Sequence, residues 1–313
     1  MRSLSIVLAG WLLATPVSAQ GPERQQNWER CLGDDPDTSI AGCTALIGAS
    51  QEVEFNLANV YYNRAIAYIG KGDLPRAIQD LSEVIRRDPN DPDALFNRGN
   101  AFYITGDFAR AITDLDASLT IDDTKPQRFM ARGLAHDRLG HYDLALEDFN
   151  AGLVLDSGFA PLYNNRGNTY KNKGDLGRAL ADFEKAIDLN PRYAIAMDNR
   201  GFVFALRGDY DRALESFTQS LAINPGSAIV YDDRGSTWLR KGNADQALAD
   251  FDAALQINAR RASSLYGRGL AKRAKGDESG ARADIAEALR LQPNVAETMP
   301  LAVGSSSPAA GGQ

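Results

Sequence analysis

The sequence predicts an all-α protein assembled from repeated helix–turn–helix units, and three observations carry that prediction. An arginine returns at 34-residue spacing, at Arg64, Arg98, Arg132, Arg166, Arg200, Arg234 and Arg268. Alanine or glycine follows each arginine, and a second alanine recurs twelve residues further on, from Ala77 to Ala281. Between them every unit carries glycine followed by Asp, Asn or, once, His141. A fixed period of this length means that each unit is one supersecondary element that buries its apolar face only against its neighbours.

Taken in order, residues 1–19 carry Arg2, an apolar run from Leu4 to Ala14, and small residues at Val17 and Ala19. This is the pattern of a cleaved secretory signal. The run is shorter than the roughly 18 to 20 residues that span a bilayer, so no integral membrane segment is expected after cleavage. Export implies a periplasmic location, or secretion, and an oxidising compartment in which Cys31 and Cys43 pair as a disulfide. Residues 20–57 are expected to form a degenerate capping repeat stapled by that bond, with Ser39 in the place of the recurring alanine.

Seven full units follow, 58–91, 92–125, 126–159, 160–193, 194–227, 228–261 and 262–295. The residue after each arginine is position 8 of its unit, and position 15 is always glycine, which ends one helix without left-handed strain. The Asp or Asn at position 16 caps the next helix. Pro89, Pro191, Pro225 and Pro293 close second helices, while Pro92 and Pro126 sit where a first helical residue tolerates them. Phe149, Phe183, Phe217 and Phe251 at position 24, with aromatics at positions 4 and 11, are expected core. Residues 296–313 are expected to be a disordered tail, which leaves the outer face of the last unit open.

This set of residues resembles the tetratricopeptide repeat family: bulky 4, small 8, aromatic 11, alanine 20, apolar 24 and proline 32. The resemblance implies a right-handed superhelical α-solenoid of antiparallel helix pairs whose first helices line a concave groove. It further implies that position 6 asparagines, here Asn63, Asn97, Asn165 and Asn199, grip the backbone of a bound protein or peptide segment. Tyr62, Phe96 and Met130 at position 5 and Asn100 and Asn168 at position 9 complete the candidate groove, which is apolar at its start and acidic toward its end. The clamp by which some family members hold acidic peptide tails needs basic residues at positions 2, 5 and 6, and none is present here.

The recurring arginine departs from the family, which usually has leucine there. Its expected partner is the aspartate at position 23, namely Asp80, Asp114, Asp148, Asp182, Asp250 and Asp284, on a neighbouring second helix, with Ser216 the exception. Buried charge demands such pairing.

A net charge of −7 excludes nucleic acid as an expected partner. His136 and His141 fall at a core and a cap position, and no acidic cluster has the alternating calcium loop. No phosphate-binding GxxxxGK[ST] occurs. No catalytic residue, metal or cofactor is therefore expected. The expected function is a non-enzymatic interaction scaffold of the cell envelope, the alternative being a homo-oligomer formed through the C-terminal repeat.

Overall fold

A computed structural model describes residues 21–49 and 53–298, so the signal-like segment and most of the tail lie outside the described residues. Every regular element among the described residues is a helix, and the chain is all-α. It divides into two compact units after Asp123. The first holds three helical hairpins, α1 (Pro22–Cys31) with α2 (Pro36–Gly48), α3 (Glu54–Gly70) with α4 (Leu74–Arg87), and α5 (Pro92–Ile104) with α6 (Phe108–Ile121). The second holds α7 (Pro126–Arg138) with α8 (Tyr142–Leu155), α9 (Ala160–Asn172) with α10 (Leu176–Leu189), and α11 (Ala194–Leu206) with α12 (Tyr210–Ile223). It continues with α13 (Ala228–Arg240), α14 (Ala244–Ile257), α15 (Ala262–Ala274), α16 (Glu278–Leu291) and the short α17 (Val295–Thr298).

The hairpin turns form as the glycines require. Gly72, Gly106, Gly140, Gly174, Gly208, Gly242 and Gly276 all have positive φ, from 74° to 86°. In each repeat the residue after this glycine donates its N–H five residues back, as Asp175 does to the Tyr170 carbonyl, which closes the first helix in a Schellman turn. The same residue then caps the second helix: Asp73, Asp107, Asp175, Asp209, Asn243 and Asp277 accept from the N–H three residues on. His141 occupies the cap position of α8 but makes no side-chain capping bond. An imidazole lacks the short oxygen that reaches the first-turn amides.

Each hairpin closes around one apolar side chain. Phe149, Phe183, Phe217 and Phe251 are fully buried. A Cβ at Gly133, Gly167, Gly201 or Gly235 would come within 2.7, 2.8, 2.9 and 3.1 Å of those rings respectively, so position 8 is small because the ring occupies its space. Burying one phenylalanine contributes about 2 to 3 kcal/mol, and the contribution repeats hairpin by hairpin.

Both ends are finished. The Cys31–Cys43 disulfide joins α1 to α2, and the buried Ser39 donates its hydroxyl to the Cys31 carbonyl at 2.8 Å. At the other end α17 follows the last hairpin, where no further helix was expected. Its Val295 is fully buried against a cluster containing Leu265 and Ala288. An apolar residue placed just after Pro293 packs back rather than leaving that cluster exposed.

Candidate functional site on the first helices

The recurring arginines are joined to aspartates, with one difference in geometry from expectation: each partner lies on the second helix of the same hairpin. Arg64, Arg98, Arg166, Arg234 and Arg268 grip Asp80, Asp114, Asp182, Asp250 and Asp284 through Nε and Nη2 at 2.6 to 2.8 Å. Arg132 grips Asp148 in the same way at 2.6 to 3.2 Å. Sixteen residues is the separation that places the two side chains opposite each other across an antiparallel pair. The neighbouring hairpin enters through Nη1, which donates to Thr44, Ser82, Asn150, Thr218 and Asp252 on the preceding second helix. The polar column at position 25 that supplies most of these acceptors was visible in the sequence. Arg200 has no position 23 carboxylate and binds Ser216 and Gln219 instead.

A second cation column went unrecognised. Arg76, Arg110, Arg178 and Arg212 lie over the position 11 rings of Tyr68, Phe102, Tyr170 and Phe204, 4.4 to 4.8 Å from their centroids. Both arginine columns are therefore architectural.

On the first-helix face successive first helices touch one another, α7 with α9, α9 with α11, α11 with α13 and α13 with α15. Two of the position 6 asparagines meet the position 5 residue of the preceding hairpin. Asn97 donates to the Tyr62 hydroxyl and Asn199 to Asn164 Oδ1, each at 2.9 Å. Asn164 is itself buried, its Nδ2 reaches Asn165 Oδ1 at 3.4 Å, and its carbonyl accepts from Asn168. Part of the amide row thus links hairpin to hairpin, because an amide carries donor and acceptor together. Asn63, Asn100 and Phe96 stand partly buried on α3 and α5. Tyr62 also lines a cavity of about 290 Å³ with Asn59, Val84 and Arg87. Met130 packs against the Phe149 and Leu162 core as well as lying on the face.

Toward α13 the face turns acidic, as expected, and gains a residue that sequence reasoning passed over. Lys171 on α9 reaches Asn168 Oδ1 at 2.9 Å and lies 5.3 Å from the Phe202 ring centroid. Burial lowers its pKa, opposed by the charges of Asp198, Asp233 and Asp137. Burial also pushes the Asp198 carboxyl up to about 6, against the pull of Lys171. Asp233 is raised well above the usual carboxylate value by burial and by its neighbours Asp198 and Asp232. Asp232 is satisfied by Arg261 Nε at 3.0 Å and by Ser263 and Ser264. Beside this row Ile195 and Ile229, both at position 2, are 60% and 54% exposed.

No group of three or more His, Cys, Asp or Glu side chains among the described residues could hold a metal ion. No described helix is long and apolar enough to cross a membrane.

Tetratricopeptide repeat models match residues 62–126, 160–193, 194–227 and 233–296. The chain belongs to the tetratricopeptide repeat family. Its fold is similar to that of a tetratricopeptide repeat protein from Parabacteroides merdae, with a TM-score of 0.62 and 22% identity, covering 78% of this chain and 98% of that one. It is also similar to Pseudomonas aeruginosa pilF, with a TM-score of 0.58 and 22% identity, covering 64% and 92%. No curated protein matches the sequence. Likeness at this identity establishes the fold, and the family's general role is protein–protein interaction.

Proposed function

We propose that the protein is an exported, non-enzymatic scaffold whose first-helix face receives a segment of a protein partner. The observation that carries this reading is the pair Ile195 and Ile229, two large apolar side chains held in water on successive hairpins beside a row of amides and carboxylates. An apolar contact flanked by polar groups is the make-up of a recognition surface. Export is supported by the signal-like residues 1–19 and by the Cys31–Cys43 bond, which persists in an oxidising compartment. Self-assembly through the last repeat is the weaker reading, because α17 already lays Val295 against that hairpin.

Photo-crosslinking in the native envelope tests the reading. A photoreactive residue at position 195 or 229 is expected to capture a protein that the same residue at the exposed position 154 of α8 does not capture. Equal capture from all three positions would overturn it. Asparagine variants are poorer probes, since removing Asn199 also removes a contact between hairpins.

A further inference from the structure

We infer that the recess beside Arg200 is a seat for one carboxylate supplied from outside the chain. In the other hairpins of the column the guanidinium offers Nε and Nη2 as a fork that the position 23 aspartate fills, as Asp182 does for Arg166 at 2.8 and 2.7 Å. In the hairpin of α11 and α12 the fork meets Ser216 instead, whose Oγ accepts from Nε at 3.1 Å, while Nη2 donates to Gln219 Oε1 at 2.8 Å. Both acceptors are neutral, so among the described residues no carboxylate is bonded to this guanidinium. A recess of about 210 Å³ lies at this break in the column, and Arg200, Ser216 and Gln219 all line it. The exposed side chains of Arg212, Glu184 and Glu215 form its sides, so it communicates with solvent.

A second observation is independent of the first. Arg76, Arg110 and Arg178 hold their capping aspartates through Nε at 2.5 to 2.6 Å, whereas Arg212 reaches Asp209 only through Nη1 at 3.4 Å. Loosely held at the cap, the Arg212 guanidinium lies 4.8 Å from the Phe204 ring centroid and lines the same recess. Two arginines of one hairpin, each less neutralised than its counterparts, thus converge on one place. A fork of parallel N–H donors matches a planar carboxylate. Glu184 and Glu215 set the charge that is accepted: their two negative charges tolerate a monoanion better than the dianion of phosphate. The seat lies apart from the binding face proposed above, since neither Ile195 nor Ile229 lines it, and its failure leaves that reading untouched.

The test uses the full chain with acetate as the probe, ionic strength being held constant with chloride. Saturation-transfer NMR on the acetate methyl is expected to give a dissociation constant of about 1 to 10 mM, the range open to so small a ligand. Ser216→Asp carries its own carboxylate into the fork and should weaken acetate at least about tenfold, while its melting curve reports an intact fold. Glu184→Gln, Glu215→Gln should bind acetate more tightly. A blocked alanine tripeptide with a central glutamate distinguishes the source. Binding about tenfold tighter than acetate assigns the carboxylate to a protein segment, and binding no tighter assigns it to a free small acid; the same peptide with glutamine should not bind in either case. Failure of both acetate and the glutamate peptide to bind, or binding that Ser216→Asp leaves unchanged, would overturn the seat. Binding seen only in Glu184→Gln, Glu215→Gln would show that the protein's own glutamates fill the fork, and phosphate binding without acetate binding would reassign the recess to another anion; either result refutes the inference.

Discussion

Arg166 holds Asp182 with two parallel hydrogen bonds, Nε to Oδ2 at 2.8 Å and Nη2 to Oδ1 at 2.7 Å, while its third nitrogen reaches Asn150 on the preceding hairpin. The side chains are 20% and 8% exposed, so the pair is largely withdrawn from water. Asp182→Ala strands the guanidinium and is expected to cost about 3 kcal/mol in a denaturant titration. Replacing both Arg166 and Asp182 by leucine should recover much of that loss, since no charge is left unpaired.

Arg200 is the one arginine of the column that meets a serine, Ser216, where the others meet the position 23 aspartate. Ser216→Asp restores the missing pair and should stabilise by about 1 kcal/mol, tempered by Glu184 and Glu215, which line the same recess. A fall in the urea midpoint would contradict this.

The pH dependence follows from Asp198. Its folded pKa of about 6 lies above the ordinary 3.8, so the folded state holds the proton more tightly, and stability from this group rises as pH falls from about 7 toward 4. The groups facing it are Lys171 and Asp233, with Asp137 and Asp232 beyond them. Asp198→Asn should stabilise by about 2 kcal/mol at pH 7.5, an advantage that vanishes near pH 4. Thermal melts across that range check the sign.

The Cys31–Cys43 bond closes a loop of 12 residues in sequence separation, and its loss should cost the terminal hairpin about 3 kcal/mol. Because contacts in a repeat array run between neighbours, hydrogen exchange should accelerate in α1 and α2 and stay unchanged in α13 to α16.

Gly267 interrupts the position 6 column because the Phe251 ring fills the space where its Cβ would be. Gly267→Asn, which regularises the repeat, is therefore expected to destabilise by about 1 to 3 kcal/mol by calorimetry.

The sequence by itself determined the helical hairpins, their turns and the partners of six arginines. Glycine at positive φ, an Asx cap and a ring beside a missing Cβ are local requirements that recur at one period, so each reappears where the period places it. What it left open was which polar residues remain free once hairpins stack. Asn199 and Asn165 look alike as letters, yet Asn199 donates to Asn164 on the neighbouring hairpin. Lys171, Asp198 and Asp233 lie on three different hairpins and come together only through stacking. Tertiary structure decided these matters because burial and charge coupling depend on distances between side chains 27 to 62 residues apart, which a repeat of 34 does not specify.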